Sequence, residues 1–197
     1  MFTNSHKTSN KTSHNPLNWY SFDKGFSAEE VKRIEEYAQQ LPRLKGDVSG
    51  INDFAKKRKS IVRWIYRNPN TEWIYAKMIS MADTANENLW QFDMFSANEA
   101  IQYTEYYDDG GHYDWHIDMN AGFPLNQRKI SMTVQLTDGS DYEGGEFEVM
   151  RSCDVEKLPK GKGTVLIFPS YLLHRVAPVT GGVRKSLVLW LGGASFK

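Results

Sequence analysis

The chain has 197 residues, of which 40% are hydrophobic and 13% aromatic, a composition that supports a folded core and excludes global disorder. Lys and Arg number 24, as do Asp and Glu, so the chain lacks the basic excess that is typical of nucleic-acid binders. Its single cysteine, Cys153, excludes an intramolecular disulfide and a cysteine-rich zinc site, and it fits a reducing compartment.

The first segment of the chain differs in composition from the rest. Residues 1–16 are rich in Ser, Thr, Asn and Lys and contain almost nothing to bury, which predicts a disordered tail in which His6 and His14 are solvated. Residues 17–197 are predicted to form one domain, with a helical support over about 17–90 and a β-core over about 91–197.

Two helices are predicted in the helical support. Ser27 followed by Glu30 is a capping-box pattern, and apolar residues at helical spacing then continue until Pro42 ends the run. Residues 71–88 carry a second apolar stripe. Between them, Arg58–Arg67 is rich in β-branched and aromatic residues and predicts a strand, after a polar loop over 43–57.

From about Phe92 onward, short strand-like runs alternate with turns that contain Gly, Asp, Asn or Pro. Helices followed by a series of strands predict an α+β domain, and the strand spacing suits a sandwich or a small barrel. The predicted strands are Glu99–Tyr107, His112–Met119, Lys129–Thr137, Gly145–Met150, Gly163–Pro169, Leu173–Val179 and Arg184–Leu191.

The residues best suited to metal chemistry are His116, Asp118 and His174. His116 and Asp118 are two apart, so on a strand they point to the same face, and His174 on a later strand can supply a third ligand. Two imidazoles and one carboxylate on one side of a metal form the facial triad of non-haem Fe(II) oxygenases. The same ligands also bind Zn(II), Ni(II) or Co(II), so they do not by themselves identify the metal.

Arg184 follows His174 by ten residues. The intervening Gly181-Gly182 predicts a tight turn, which would make the two strands hairpin neighbours and bring the guanidinium close to the metal. An arginine there is suited to hold a carboxylate through two parallel hydrogen bonds.

Other acidic and imidazole side chains nearby are weaker candidates. On a regular strand His112 and Asp114 share the face of His116, and they form a second His-x-Asp pair. We expect them to be rim residues, and we expect Glu105, like Glu99 and Asp108, to be a surface charge.

The ordered motif resembles the prolyl 4-hydroxylase-like branch of the 2-oxoglutarate- and Fe(II)-dependent dioxygenases. The pattern is Tyr-x-x-Gly-x-x-Tyr-x-x-His-x-Asp, then a distal His and Gly-x-Arg, and it covers close to half of the chain. Its members here are Tyr107, Gly110, Tyr113, His116, Asp118, His174, Gly182 and Arg184, and the upstream Tyr/Gly spacing favours His116 and Asp118 over His112 and Asp114 as ligands.

The resemblance implies a double-stranded β-helix, a jelly-roll or cupin-like barrel with N-terminal supporting helices. It implies that His116, Asp118 and His174 bind Fe(II). It also implies that 2-oxoglutarate chelates the metal and pairs with Arg184, where many family members have Lys. Dioxygen is the other cosubstrate, and ascorbate enters as an optional reductant.

The resemblance assigns further residues to the pocket. Tyr107 corresponds to a tyrosine that touches the cosubstrate, and Tyr113 to one on the substrate side. Thr133 or Ser131 would add a hydroxyl to the cosubstrate pocket. Trp115 and Trp190 are candidate substrate contacts.

The expected substrate is a peptidyl proline, and the expected partner is a peptide or protein, with a proline-rich one as an option. A free amino acid or another small molecule is the alternative for an enzyme, and a non-catalytic metal-binding barrel that recognises a peptide is the alternative of another class. We expect no nucleic-acid partner and no membrane association, because no apolar run approaches the roughly 18–20 residues of a membrane span. The expected location is cytoplasmic, and the oligomeric state stays open.

Overall fold

A computed structural model describes residues 19–46, 57–119 and 127–194. The predicted tail over residues 1–16, with His6 and His14, lies outside the described residues, as does most of the predicted loop over 43–57.

Both predicted helices are confirmed. Helix α1 spans Ala28–Gln39, and its N-terminus has the predicted capping box: the Glu30 N–H donates to Ser27 Oγ at 3.1 Å and the Ser27 N–H donates to Glu30 Oε2 at 2.7 Å. Helix α2 spans Glu72–Leu89 and buries one face. That face consists of Ile74, Tyr75, Met78, Met81, Ala82 and Ala85.

The described residues also form fourteen strands. In chain order they are β1 Tyr20–Phe22, β2 Leu44–Lys45, β3 Arg58–Lys59, β4 Ile61–Ile65, β5 Met94–Ser96, β6 Ile101–Tyr107, β7 His112–His116, β8 Gln127–Gln135, β9 Tyr142–Gly144, β10 Phe147–Arg151, β11 Asp154–Lys157, β12 Val165–Pro169, β13 His174–Val176 and β14 Val179–Gly193.

The strands form two antiparallel sheets. The larger has the order β1-β12-β8-β14-β6-β4-β2, with β5 and β9 also paired to β14. The smaller has the order β11-β10-β13-β7-β3. Two antiparallel sheets with two helices confirm the predicted α+β class, and the arrangement agrees with the expected double-stranded β-helix.

The larger sheet has two differently covered faces, and β14 shows how the sequence separates them. Leu187, Leu189 and Leu191 join the buried cluster that includes the apolar faces of α1 and α2. The alternate residues of the same strand point to the other face, toward the smaller sheet. There a second apolar cluster lies between the sheets, formed by Tyr106, Phe147, Val149, Leu158, Leu166, Phe168, Leu172, Val176 and Val179.

The prediction of a tight turn at Gly181-Gly182 was wrong. Both glycines lie inside β14, where Gly182 pairs with Tyr142 of β9. Gly182 has a φ of +72°, and a Cβ at this position would lie 2.5 Å from the Asp141 carbonyl oxygen. Glycine is therefore needed where β14 passes β9, rather than for a hairpin.

As a consequence, the strands that carry His174 and Arg184 are not hairpin neighbours. His174 is on β13 in the smaller sheet, whereas Arg184 pairs with Tyr106 of β6 in the larger sheet. The two side chains approach each other across the space between the sheets instead of along one ladder.

The single strand predicted for Arg58–Arg67 is divided at Ser60. β3 pairs with β7 in the smaller sheet, and β4 pairs with β6 in the larger one. The Arg58 Nε–H donates to Ser60 Oγ at 2.8 Å, at the point where the chain passes from one sheet to the other. Residue type predicts extended backbone here but not the change of sheet.

Neither described helix is both long and apolar enough to cross a membrane.

Glu105 is buried, in contrast to the expected surface charge. Its Oε2 accepts from Arg63 Nη1 at 2.6 Å, and both side chains are less than 10% exposed. Glu105 faces the same side of β6 as Tyr107, whose hydroxyl donates to it at 3.1 Å. This ion pair lies on the opposite side of the strand from Tyr106.

We expect Glu105→Ala to lower the free energy of unfolding by about 3–5 kcal/mol, because it leaves the buried Arg63 without its carboxylate. Urea unfolding followed by tryptophan fluorescence measures the change. The control is Glu72→Ala, which removes the half-exposed partner of Arg67 and should leave the midpoint nearly unchanged. If both substitutions lowered the free energy of unfolding equally, the claim that the buried ion pair contributes more than the exposed one would be contradicted.

Candidate functional site

The structure brings His116, Asp118 and His174 together. His116 ends β7 and pairs across the ladder with His174, the first residue of β13. Asp118 lies two residues beyond the end of β7, where its N–H donates to the Ser170 carbonyl at 2.9 Å. The Asp118 carboxylate oxygens lie 3.6 Å from His116 Nε2 and 3.5 Å from His174 Nε2. One ligand atom from each residue therefore lies within 4.8 Å of the others, close enough to hold one ion.

The backbone orients both imidazoles in the same way. His116 Nδ1 lies 2.7 Å from the Asp114 carbonyl oxygen, and His174 Nδ1 lies 2.8 Å from that of Leu172. A carbonyl can only accept, so each Nδ1 carries the proton and each Nε2 presents a lone pair toward Asp118. This is the support that metal-binding histidines commonly receive.

The charges of the cluster suit a divalent cation. Burial, with repulsion from His174, lowers the pKa of His116 to about 3, so its imidazole is neutral at physiological pH. Burial alone would raise the pKa of Asp118, but attraction to His174 and His116 in their charged forms, with a hydrogen bond from Ser131, holds that pKa below its usual value. Neutral imidazoles and an ionised carboxylate are the forms that bind Fe(II).

The cluster lies in a cavity of about 420 Å³, its open mouth included, between the two sheets. Its walls are mostly apolar, with a few polar groups, as is usual for small-molecule sites. Besides the three members of the cluster, its lining includes Arg58, Gln102, Tyr106, Tyr113, Thr133 and Arg184.

Arg184 supplies a buried positive charge to this cavity. It is 1% exposed, and its Nη2 donates to Gln135 Oε1 at 3.0 Å and its Nη1 to Ser186 Oγ at 3.4 Å. Its Nε has no hydrogen-bond partner among the described residues. A buried guanidinium with only neutral partners and an unused N–H is suited to receive the carboxylate of a ligand.

Three further predicted residues line the cavity. Tyr113 stacks on His116, with ring centroids 3.5 Å apart, and burial raises its pKa to about 12, so it remains a neutral phenol. Thr133 lies on β8 two residues after Ser131, and Ser131 Oγ is 2.9 Å from Ser170 Oγ. The buried indole N–H of Trp190 has no acceptor at hydrogen-bonding distance among the described residues.

Two other predicted residues do not line the cavity. Tyr107 points to the opposite side of β6, where its hydroxyl accepts from Arg43 Nη2 at 3.0 Å. Tyr106, its neighbour, faces the cavity, 5.5 Å from the Arg184 guanidinium carbon. Trp115, two residues after Tyr113 on β7, does not line the cavity and lies beneath the Arg175 guanidinium. We therefore correct the assignment of Tyr107 in favour of Tyr106.

The alternative pair, His112 and Asp114, lies outside the cluster. His112 Nδ1 contacts the Gly110 carbonyl oxygen at 2.8 Å, and Asp114 lies 3.7 Å from Lys57 Nζ. Neither residue lines the cavity. Of the two His-x-Asp pairs in the sequence, the structure therefore places His116 and Asp118 at the cluster.

Sequence reasoning missed five polar or aromatic residues of the cavity region. Tyr106, Gln102, Gln135 and Ser186 lie on strands that were predicted, but the side of the sheet that each faces depends on pairing with other strands. For Arg58, the sequence predicts only that it belongs to a strand. Its low exposure, 7%, is a tertiary property that residue type does not reveal.

Comparison with known proteins agrees with this geometry. Residues 101–192 match the model of the 2OG-Fe(II) oxygenase superfamily. The chain is 36% identical over 90 residues to a PKHD-type hydroxylase of Aliarcobacter butzleri and 29% identical over 177 residues to one of Pseudomonas fluorescens. The first match covers 43% of this chain and 40% of the relative, and the second covers 84% and 74%.

Among solved structures, the chain is similar to a prolyl hydroxylase from Trichoplax adhaerens in complex with a peptide fragment of hypoxia-inducible factor. The TM-score is 0.74 at 16% identity, over 89% of this chain and 84% of that one. The comparisons confirm the double-stranded β-helix and the resemblance to the prolyl 4-hydroxylase-like branch. They support an oxidoreductase, and the cofactor set of that superfamily, Fe(II), 2-oxoglutarate and O₂, fits the cluster and Arg184.

We expect His174→Ala to weaken Mn(II) binding by about 100-fold or more, because it removes one of three ligands from a buried site. Isothermal titration calorimetry under anaerobic conditions measures the affinity. The matched control is His112→Ala, which changes a histidine of the same region outside the cluster and should shift the affinity less than twofold. Comparable losses in both variants would contradict the assignment of the ligands.

Proposed function

We propose that this chain, which resembles the prolyl 4-hydroxylase-like branch of the 2-oxoglutarate- and Fe(II)-dependent dioxygenases, hydroxylates a C–H bond of a peptidyl proline. The observation that carries the proposal is the cluster of His116, Asp118 and His174 in one cavity with the buried Arg184. These groups are the minimum needed to hold a metal and to anchor an anionic cosubstrate beside it.

Each residue of the cluster has a defined part in this proposal. His116 and His174 would each bind the metal through the Nε2 lone pair. The Asp118 carboxylate adds a negative charge, so this ligand set attracts a divalent cation more strongly than three neutral ligands would. Three protein ligands would leave part of the coordination of a divalent metal open to small molecules. When bound, Fe(II) and 2-oxoglutarate supply the oxygen chemistry, in which the cosubstrate is converted to succinate and CO₂ and one oxygen atom enters the substrate.

Arg184 would orient the cosubstrate through its far carboxylate. Gln135 and Ser186 hold the guanidinium by neutral acceptors, so its positive charge is not neutralised by the protein. The ring of Tyr106 forms one wall beside it. Such fixed donors spare the site the cost of reorganising around a bound anion.

Aromatic side chains keep water away from the cluster. Phe168 and Phe147 pack against His174, with ring centroids 4.8 Å and 5.5 Å from the imidazole. Both phenylalanines are at most 5% exposed. A dry wall of this kind strengthens the electrostatic interactions inside and limits side reactions of a reactive oxygen species.

The peptidyl proline is the finer part of the proposal, and two observations support it. The relatives are named as PKHD-type hydroxylases, and the Trichoplax neighbour is a prolyl hydroxylase bound to a peptide. In this chain, Ile117 and Tyr171 adjoin the site in sequence and are about half exposed, at 45% and 47%. Exposed apolar side chains beside Asp118 and Ser170 suit contact with a proline ring and an extended peptide.

We expect Arg184→Gln to raise the dissociation constant of 2-oxoglutarate by about 30-fold or more, because charge-assisted hydrogen bonds to the carboxylate are lost. The visible charge-transfer band of the anaerobic Fe(II) complex reports the binding. Arg151→Gln, an exposed arginine at the end of β10, is the control and should bind as the unchanged protein does. Absence of the band in the unchanged protein would refute the proposed use of 2-oxoglutarate.

For the substrate, we expect proline-rich peptides incubated with the protein, Fe(II), 2-oxoglutarate and O₂ to gain the mass of one oxygen atom. Fragmentation by mass spectrometry should place that atom on proline, and His174→Ala should abolish the gain. Oxidation only at residues other than proline, or consumption of 2-oxoglutarate only with free amino acids, would overturn the peptidyl-proline assignment while keeping the reaction class.

A further inference from the structure

Three arginines are buried in the described part of the chain: Arg58, Arg63 and Arg184. Arg63 has a carboxylate partner in Glu105. The other two make no ion pair with any described carboxylate, and both line the cavity that holds the metal cluster. A buried charge without a counter-ion is costly, so two such arginines in one cavity indicate that ligands supply the missing anions.

Arg58 keeps most of its hydrogen-bonding capacity. Its Nε–H donates to Ser60 Oγ at 2.8 Å and its Nη2 donates to Gln102 Oε1 at 2.7 Å. A guanidinium has five N–H donors, so these two bonds leave three unused toward the described residues. Both acceptors are neutral, as are those of Arg184, and neither reduces the charge of the side chain.

The Arg58 guanidinium is one aromatic ring away from the metal cluster. Its central carbon lies 4.6 Å from the centroid of the Tyr113 ring, and the other neighbour of that ring is His116. Arg58 and Tyr113 are also register partners on β3 and β7. The stack fixes the guanidinium in the wall of the cavity that holds the cluster.

Arg58 and Arg184 are held by different side chains. Arg58 donates to Gln102 Oε1, which also accepts from Thr104 Oγ1 at 3.1 Å, whereas Arg184 donates to Gln135 and Ser186. Each guanidinium therefore has its own neutral support. Arg184 would take the far carboxylate of the cosubstrate, so Arg58 is left for another anion.

The charge of the cavity agrees with a second anion. With a metal bound, its charged lining groups would be the two guanidiniums and the Asp118 carboxylate, because an imidazole that binds a metal is neutral. A divalent metal and a doubly charged 2-oxoglutarate would cancel each other, which leaves one positive charge in the cavity. One carboxylate of the substrate would balance it.

We propose that Arg58 binds a carboxylate of the substrate, so that the enzyme prefers substrates with an acidic group close to the hydroxylated carbon. This inference rests on the proposed function, because it assumes that Arg184 holds 2-oxoglutarate. The carboxylate comes either from an acidic residue beside the target proline or from the α-carboxyl group of a free amino acid. Arg58 is a specificity-determining residue in both cases.

The test uses binding without turnover. The full chain is loaded anaerobically with Mn(II) and 2-oxoglutarate and titrated calorimetrically with two matched pairs of probes. The peptide pair is acetyl-Glu-Pro-Glu-amide against acetyl-Gln-Pro-Gln-amide, and the amino-acid pair is L-proline against L-prolinamide. We expect the carboxylate member of one pair to bind about 10-fold tighter or more, and the pair that shows this identifies the source of the carboxylate.

Substitution of Arg58 then tests whether this residue causes the preference for the carboxylate probe. Arg58→Gln should abolish the difference within the pair while the affinity for 2-oxoglutarate changes less than twofold, and Arg58→Lys should retain part of the preference. Unfolding midpoints and Mn(II) titrations of both variants show whether the fold and the metal site are intact. If Arg58→Gln does not fold, the lysine variant and the probe pairs on the unchanged protein still decide the question.

Three results would overturn the inference: equal binding within both pairs, failure of both carboxylate probes to bind, or retention of the preference in Arg58→Gln. A loss of 2-oxoglutarate binding in Arg58→Gln would also overturn it, because Arg58 would then belong to the cosubstrate. Each of these leaves the proposed function standing as long as the unchanged protein binds 2-oxoglutarate. Failure of that binding refutes the proposed function first.

Discussion

The pairing of β7 with β13 is the constraint on which the rest of the site depends. It sets His174 opposite His116 in the smaller sheet, and the carbonyl of the residue two positions earlier fixes the tautomer of each imidazole. Asp118 then needs only the backbone hydrogen bond to Ser170 to reach both rings. The three ligands therefore converge through backbone geometry before any metal is bound, and the backbone pays the cost of ordering them during folding.

The second organising feature is the distribution of carboxylate partners among the buried arginines. On the helix side of β6, the buried Arg63 is neutralised by Glu105, as stability requires. On the cavity side, Arg184 and Arg58 have only neutral acceptors among the described residues. The contrast between the two sides of β6 separates a charge that serves folding from charges that serve binding. The buried side chains of Gln102 and Gln135 fit this contrast, since each orients a guanidinium without cancelling its charge.

The sequence predicts what depends on nearby residues. The capping box at Ser27 and Glu30, the apolar face of α2 and the His-x-Asp spacing are all local patterns, and the motif order supplies His174. What it could not predict depends on pairing between distant strands. Tyr106 and Tyr107 are adjacent, and only the register of β6 against β14 decides which of them faces the cavity. The glycines at 181–182 fit a hairpin equally well until β9 is placed beside them.

Arg58 is a candidate site residue that the sequence alone does not identify. In the sequence it belongs to a run of basic and β-branched residues and has no motif around it. Its significance comes from the division of that run between two sheets at Ser60, which turns the guanidinium toward Gln102 and Tyr113. A site residue of this kind becomes visible only when burial, partners and cavity are considered together.

A crystal structure of the protein grown anaerobically with Mn(II) and 2-oxoglutarate tests the central claim most directly. The account predicts one metal ion bonded to Nε2 of His116, Nε2 of His174 and a carboxylate oxygen of Asp118, with 2-oxoglutarate between this ion and the Arg184 guanidinium. A metal bound elsewhere, a His174 side chain directed away from Asp118, or 2-oxoglutarate outside the cavity would contradict it.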